Sequence, residues 1–166
     1  IDQARIEKDP KKGEFYVAVV EKAGRPALDV IAEMVPDIIR KFPWPKSMRW
    51  GSNHHAFARP IQWLTALCGD EVSRFDHEGI TSSNSSRGHR FLANEPFVIG
   101  AADNYEKQLA ERAVLVNPAT RRSRVITEIK QAVAGAADLP GGQVAIDEGL
   151  VDVVTNLVEM PYGVCG

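Results

Sequence analysis

The chain has 166 residues, of which 44% are hydrophobic and 25% charged, and its formal net charge is −2. These proportions are those of soluble globular proteins, and they exclude the disordered and collagen-like classes. The near-zero net charge also excludes a global attraction to nucleic acid, so any binding of that kind requires a local basic patch.

The amino-terminal part of the chain predicts a charged lead-in followed by a strand. Residues 1–12 are charged and end in the turn signal Lys11-Lys12-Gly13, and we expect them to be flexible. Residues 14–21 (EFYVAVVE) are rich in aromatic and β-branched side chains. That composition predicts a strand, which Ala23-Gly24 closes.

A helix is predicted after Pro26, because proline suits the first turn, where its missing N–H needs no partner. Apolar residues then recur at helical spacing: Leu28, Ile31, Val35, Ile38 and Ile39. Pro36 is expected to kink or divide this helix, and Pro43 and Pro45 to end it.

The central part of the chain predicts turns and short strands. Residues 41–60 (KFPWPKSMRWGSNHHAFARP) fit neither a helix nor a strand, and we expect their tryptophans to anchor the turn into a buried strand. That strand is predicted at residues 61–67 (IQWLTAL), and a turn at Gly69-Asp70 pairs it with a shorter strand at 71–75. The polar cluster 82–86 (SSNSS) predicts a loop, and residues 97–99 predict a brief strand.

Three helices are predicted in the last third of the chain. Asp103 and Glu106 resemble a capping box for a helix over 104–113. Asn117-Pro118 then combines a cap with a first-position proline, and the helix that begins there stops near Gly135. Its apolar face consists of Val125, Ile126, Ile129 and Val133.

A turn at 139–142 leads to the last predicted helix, over 147–159, which Pro161 ends. Its apolar residues at helical spacing are Leu150, Val153, Val154, Leu157 and Val158. Because strands and helices intermix without strict alternation, the predicted class is α+β (mixed α/β). We expect residues 1–166 to form a single domain, and its start at Ile1 and apolar end MPYGVCG suggest an internal piece of a longer chain.

The cysteines and the apolar runs bear on the compartment. Cys68 and Cys165 lie in apolar sequence surroundings, and we expect reduced thiols of a cytoplasmic protein, a single disulfide being the alternative. No apolar run approaches the roughly 18 residues of a membrane span. The charged amino terminus is not followed by the apolar core of a signal peptide.

The histidines do not form a recognisable catalytic or metal motif. His54 and His55 are adjacent, whereas His77 and His89 lie in separate segments, and neither HExxH nor CxxC spacing occurs. Structural histidines are therefore favoured over a zinc site or a Cys–His nucleophile. Gly141-Gly142 is not followed by the lysine and hydroxyl of a phosphate-binding loop.

The arginines form the strongest candidate site. Arg49 and Arg59 flank the central turn, and RGHRF (87–91) contributes Arg87, His89 and Arg90. A third group in the first turns of a helix consists of Arg121, Arg122 and Arg124. The helix dipole disfavours cations at that position, so an anionic partner or nearby carboxylates must relieve it. Guanidinium groups bind phosphates at two points, and Trp50 or Phe91 offers a stacking face, so RNA contact and structural ion pairs are both open.

Four motifs in order resemble one family, the β subunit of bacterial glycyl-tRNA synthetase. They are KFPWPKSMRWG (41–51), FARPIQWLTALCGDEV (57–72), RGHRF (87–91) and VVTNLVEMP (153–161). KGEFYVAV (12–19) resembles the strand that precedes them, so the resemblance covers nearly the whole chain. Two positions depart from the family pattern: Gln62, where a basic residue is frequent, and Met160, where tryptophan is frequent. No role is carried over to Gln62.

The resemblance implies a role in a heterotetramer of two α and two β subunits that joins glycine to its tRNA. In that family ATP and Mg²⁺ are used by the α subunit, while the β subunit serves tRNA binding and is required for activity. The chain would correspond to an amino-terminal part of the β subunit, before its HD-type and anticodon-binding regions. Residues 13–166 would form a module similar to B3/B4 of phenylalanyl-tRNA synthetase, with a mixed or antiparallel sheet flanked by helices. No catalytic, cofactor or metal residue of the family maps onto this stretch.

The partners implied are the α subunit, tRNA(Gly) and the remainder of the β subunit, with no membrane. The hypothesised tRNA contacts are Arg49, Arg59, Arg87, His89 and Arg90. One alternative is a hydrolytic editing module, although a glycine site can reject larger amino acids by steric exclusion. The other is a structural module in which the arginines fasten elements to one another.

Overall fold

The mixed α+β class predicted from the sequence is confirmed. The computed structural model describes residues 4–18, 22–136, 141 and 143–165. Within these ranges the chain forms eight short strands, four α-helices and one 3₁₀ helix. The strands form four separate two-stranded antiparallel ladders, so the expected single sheet flanked by helices is not formed by the described residues.

The first ladder is a hairpin between β1 (Ala4–Asp9) and β2 (Gly13–Ala18). β2 confirms the predicted strand as far as Ala18, and residues 19–21 of that prediction lie outside the described residues. No strand was predicted for β1, because its charges indicated a solvated lead-in. Cross-strand pairing accommodates those charges, with Lys8 Nζ 2.7 Å from Glu14 Oε1, and the Asp9 carboxylate accepts the N–H groups of Lys11 and Lys12 in the turn.

Helix α1 (Ala27–Lys41) follows the predicted apolar pattern and is not divided at Pro36. The buried ring of Pro36 lies inside the helix, which loses one backbone hydrogen bond there and still continues for a further turn. Arg40 and Lys41 in the last turn complement the helix dipole. Phe42 is extended, with φ −64° and ψ 123°, because a residue that precedes proline avoids the helical region.

The segment between α1 and the second ladder contains a turn and isolated backbone bridges rather than a long strand, so the predicted buried strand at 61–67 is wrong. Only β3 (Leu67–Cys68) forms there, paired with β4 (Glu71–Val72) across the predicted Gly69-Asp70 turn. Gln62 and Trp63 are exposed. Trp44 does anchor its turn, stacked on Phe42 at 4.5 Å and edge-on to Phe57 at 4.8 Å between ring centroids.

The serine cluster predicted to be a loop is instead part of the interior. Ser82 is fully buried, and its hydroxyl donates to the Ser73 carbonyl at 2.7 Å and accepts the Phe75 N–H at 2.8 Å. Ser73 in turn donates to the Leu28 carbonyl of α1 at 2.9 Å. The hydroxyls of Ser73 and Ser82 can be buried because both form hydrogen bonds with backbone groups.

Two further ladders flank this cluster. β5 (Asp76–His77) pairs with β6 (Ile80–Thr81), a hairpin that was not predicted. β7 (Ser85–Arg87) pairs with β8 (Pro96–Val98), which confirms the brief strand predicted at 97–99. The fully buried Ile99 comes directly after β8, and its N–H donates to the Asn84 carbonyl at 2.8 Å.

The predicted capping box at Asp103 is wrong. The chain enters α2 (Tyr105–Ala110) through a 3₁₀ helix (Ala102–Asn104), and neither helix start has a side-chain capping bond. Asp103 lies inside the 3₁₀ helix rather than just before the α-helix. Its side chain therefore does not reach the first N–H groups of α2 as a capping residue would. The predicted helix over 104–113 is therefore shorter at both ends.

The last two helices pack against each other. α3 (Pro118–Gly135) begins as predicted, with Asn117 Oδ1 accepting the N–H groups of Ala119 and Thr120. α4 (Glu148–Leu157) is capped by Asp147. Its buried residues are Val151 and Thr155, whereas three of its predicted core positions are exposed: Leu150, Val153 and Leu157. Of the predicted turn at 139–142 only Gly141 lies within the described residues.

None of the described helices combines the length and the apolar character needed to cross a membrane. Cys68 and Cys165 are free thiols, and both are exposed rather than packed in apolar surroundings.

Candidate nucleic-acid interface

The arginine at the start of α3 with the most hydrogen bonds is Arg121, which is half-buried. Its Nε donates to the Thr155 carbonyl at 2.7 Å, and its Nη1 donates to the carbonyls of Leu115 and Val116 at 2.5 and 3.1 Å. These carbonyls belong to α4 and to the segment before α3. Arg121 therefore joins three parts of the chain, and most of its donors are already used.

The other two arginines of α3 are ion-paired. Arg122 Nε lies 2.8 Å from Asp152 Oδ1, and its Nη2 pairs with the Glu148 carboxylate, both on α4. Hydrogen bonds to these two carboxylates raise the pKa of Arg122 above its usual value. Arg124 pairs with Glu128 one turn further along at 2.7 Å. Nearby carboxylates thus relieve the unfavourable dipole, as one of the two sequence-based alternatives predicted.

The RGHRF segment forms a turn between β7 and β8 that is held by His89. The Nδ1 of His89 accepts the N–H groups of Phe91 and Leu92 at 3.2 and 3.3 Å. The backbone N–H of His89 donates to the Arg112 carbonyl at 2.9 Å, and its carbonyl accepts the Ala93 N–H at the same distance. One ring nitrogen of His89 therefore holds the turn itself.

Arg87 and Arg90 lie exposed at an open cleft. Arg87 Nη1 donates to the Asn94 carbonyl at 3.0 Å, which fixes its guanidinium to the turn between β7 and β8. No carboxylate of the described residues lies within 4.0 Å of either guanidinium. The cleft has a volume of about 650 Å³. Its lining residues are Gln62, Trp63, Ser85, Ser86, Arg87, Gly88, Arg90, Asn94, Pro96 and Glu159.

A second depression of about 400 Å³ adjoins the cleft, since Arg90 and Glu159 line both. It is more apolar, and its lining includes Phe91, Leu157 and Met160. Phe91 is 85% exposed, so its ring is free to contact a partner. Arg87 and Arg90 thus line the cleft, and His89 and Arg90 line the adjoining depression; their contact with tRNA stays a prediction.

Arg49 and Arg59 lie outside this cleft. They lie one and two residues after Met48 and Phe57, whose backbones pair at 2.8 and 3.1 Å, and both arginines are exposed. Arg59 Nη1 donates to the carbonyl of its neighbour Ala58 at 3.1 Å. Their hypothesised role in RNA contact stays a prediction that the cleft geometry does not support directly.

Two histidines that the sequence placed in separate segments come together. The rings of His55 and His77 lie 5.5 Å apart, and His55 Nε2 is 3.1 Å from the Ile39 carbonyl at the end of α1. His77 is 5% exposed, and burial, followed by the nearby His55 ring, lowers the pKa of His77. Because its pKa is lowered, the His77 ring adds no positive charge to an anion site near pH 7.

The described residues form no cluster for the Mg²⁺ that would accompany ATP. They bring together no group of three or more His, Cys, Asp or Glu side chains that could hold a metal ion. The cleft itself contributes a single carboxylate, that of Glu159. No chemical step is therefore assigned to either group on this chain.

Sequence reasoning missed several residues of the cleft. Trp63 was placed in a buried strand, and Asn94 and Glu159 carried no signal of their own. Gln62 was singled out only as a departure from the family pattern, and the structure places it in the lining of the cleft. Its neutral amide makes the cleft less positive than a basic residue would.

Comparison with known proteins places these features in one family. The family model described as glycyl-tRNA synthetase beta subunit matches residues 1–166. Among curated proteins named glycine–tRNA ligase beta subunit, that of Paracoccus denitrificans is 39% identical over 163 residues, or 96% of this chain. Those of Ruegeria sp. and Myxococcus xanthus are 38% and 39% identical over 96% and 93% of the chain. The chain spans only 23%, 23% and 22% of these three relatives' lengths.

Proposed function

The chain belongs to the glycyl-tRNA synthetase β-subunit family, and on that premise we propose that it supports tRNA binding and subunit assembly in a glycine–tRNA ligase. The enzyme is a cytoplasmic heterotetramer of two α and two β subunits. ATP and Mg²⁺ act on the α subunit, so this chain contributes recognition rather than chemistry. Its partners are the α subunit, tRNA(Gly) and the remainder of the β subunit.

The observation that carries the proposal is the difference between two groups of arginines. At α3 the guanidinium groups already bind carbonyls and carboxylates of the same chain. At the cleft Arg87 and Arg90 face solvent and have no carboxylate partner among the described residues. A planar guanidinium can donate two N–H groups to two oxygens of a phosphate, so two guanidinium groups without carboxylate partners on one surface suit an RNA backbone.

The two alternatives, a structural module and a hydrolytic editing module, are treated differently in this proposal. A structural role describes Arg121, Arg122 and Arg124 well, and we assign them to it. For hydrolytic editing the cleft would need an activated nucleophile or base beside an aminoacylated end. The titratable groups in its lining are two arginines and one glutamate, so we do not propose editing.

Aminoacylation kinetics of the complete heterotetramer test the proposal. In Arg87→Ala and Arg90→Ala variants we expect the KM for tRNA to rise about tenfold or more each, because each loses a charge-assisted hydrogen bond worth about 1.5–3 kcal/mol. Glycine-dependent ATP–pyrophosphate exchange should stay at the wild-type rate, since it needs no tRNA contact by this chain.

The matched control is Arg74→Ala, an exposed arginine that does not line the cleft. It should leave both reactions unchanged. An unaltered KM for tRNA in the cleft variants would overturn the tRNA-binding role. A loss of pyrophosphate exchange would show instead that these residues support the α subunit's chemistry.

A further inference from the structure

We infer that the cleft receives unpaired nucleotides of the RNA, with one base stacked on Trp63 and the next on Phe91. This inference rests on the proposed tRNA-binding function and deepens it by naming the part of an RNA that the surface fits. The cleft and the adjoining depression would together hold two successive nucleotides, with the phosphate between them near Arg90.

The aromatic side chains provide the first argument. Trp63 is 43% exposed and lines the cleft, and Phe91 is 85% exposed at the adjoining depression. Large aromatic rings left in water at a concave surface are typical of interaction sites. Base–aromatic stacking is a main source of affinity for single-stranded nucleic acid, and it tolerates any base sequence.

The charges provide the second argument, because they are mixed. Arg87 and Arg90 favour a phosphate, whereas the Glu159 carboxylate in the same lining opposes a free anion. A nucleotide satisfies both, since its phosphate can bind a guanidinium while its base offers amino and imino N–H groups to a carboxylate. The neutral side chains of Gln62 and Asn94 add further hydrogen-bonding groups at the cleft.

Unpaired nucleotides fit this surface better than a duplex does. Bases inside an RNA helix are stacked on both faces, so neither Trp63 nor Phe91 could reach a π-face there, whereas splayed-out bases present one. The cleft volume of about 650 Å³ lies within the range of small-ligand sites, and the surface is concave rather than flat.

The surrounding hydrogen bonds hold the site in place. Arg87 is fixed to the Asn94 carbonyl in the turn between β7 and β8, and the His89 ring accepts two N–H groups in the same turn, which carries Arg90 and Phe91. A surface whose contact groups are already positioned loses less conformational freedom when it binds.

The test measures binding of tRNA(Gly) to the complete heterotetramer over a range of salt concentrations. Trp63→Ala should weaken binding about tenfold, and Trp63→Tyr, which keeps a stacking face, should restore most of that loss. The slope of log affinity against log salt should not change in Trp63→Ala, because a stacked base releases no counterions. Phe91→Ala should behave in the same way.

Nuclease footprinting in the same variants distinguishes unpaired from paired contacts. The wild-type enzyme should protect unpaired nucleotides that become accessible to a single-strand-specific ribonuclease in Trp63→Ala. If Trp63→Ala binds as tightly as wild type while Arg87→Ala binds more weakly, the stacking site is wrong and the tRNA contact stands. If Trp63→Ala exposes only paired nucleotides, the unpaired-nucleotide inference is overturned. If neither variant weakens binding, the proposed function fails as well.

Discussion

At the scale of single residues, arginines that look alike in the sequence have opposite surroundings in the fold. Arg121 is half-buried, and its side chain donates to three carbonyls from α4 and the segment before α3. Arg87 is exposed and donates to one carbonyl, that of Asn94. Charge alone does not separate the two roles, because both residues are cations close to other cations in the sequence. The separation comes from the carbonyl groups that the fold brings to Arg121.

Replacement of Arg121 tests its structural role. Arg121→Ala should lower the free energy of unfolding around α3 by about 2–4 kcal/mol, because three carbonyls lose a charged donor. Arg121→Lys should restore little, since an ammonium group cannot reproduce the guanidinium fork. Hydrogen exchange of the α3 amides in the full β subunit measures the change. The comparison variant Arg122→Ala removes exposed ion pairs and should have a much smaller effect; equal effects would contradict the assignment.

At the scale of elements, the turn between β7 and β8 determines where the cleft cations lie. Gly88 sits where a side chain has no room, since a Cβ placed there would lie 2.5 Å from the Arg112 Cβ and 2.7 and 2.8 Å from the carbonyls of Arg112 and Ala93. Two of these three neighbours are backbone atoms, which cannot move aside cheaply. The glycine lets the turn pack tightly against the segment that comes after α2.

A Gly88→Ala variant should therefore displace the turn without altering any charge. We expect a loss of about 1–3 kcal/mol in stability from overpacking and a weaker affinity for tRNA(Gly), since Arg87 and Arg90 flank the residue. Thermal unfolding of the full enzyme and a tRNA titration measure the two effects. Gly100→Ala is the matched control, because nothing lies within 4 Å of a Cβ there. Wild-type affinity in Gly88→Ala would show that the turn geometry does not govern binding.

Elements whose signals are local were predicted well from the sequence. The start of α3 follows from Asn117-Pro118, because a cap and a first-position proline act within one helical turn. The extent of α1 follows from its apolar spacing in the same way. The prediction of a strand at 61–67 failed because an apolar run indicates that a segment packs against another part of the chain, but it does not identify that part. Here the backbone of Leu64 and Ala66 pairs with Ser83, inside a cluster whose polarity predicted a loop.

The candidate site was predicted in part for the same reason. RGHRF places Arg87, His89 and Arg90 close together in sequence, so their shared surface could be inferred without the fold. Trp63 and Glu159 come from segments far away along the chain, and only tertiary packing brings them to the cleft. The exposed apolar residues of α4 were wrongly predicted to be in the core for a similar reason. Helical spacing identifies an apolar stripe, but it does not show which of its residues pack against other elements.

At the scale of the whole molecule, the net charge is near zero, so attraction to RNA depends on how the charged residues are arranged locally. With a net charge of −2 the chain has no general attraction to RNA, so affinity has to come from cations that lie together on one surface without a carboxylate partner. Many of the arginines pair within the chain, and the cleft retains two that have no carboxylate partner among the described residues. The chain spans about a quarter of its relatives' length, so in the proposed heterotetramer we expect the other parts to supply further contacts.

The salt dependence of tRNA(Gly) binding by the complete enzyme tests this account most directly. In an Arg87→Ala/Arg90→Ala double variant we predict weaker binding and a log–log salt slope that is shallower by about 1.4–1.8, since each lost phosphate contact removes about 0.7–0.9. Arg74→Ala should keep the wild-type slope. An unchanged slope and affinity in the double variant would contradict the claim that this cleft contacts the RNA backbone.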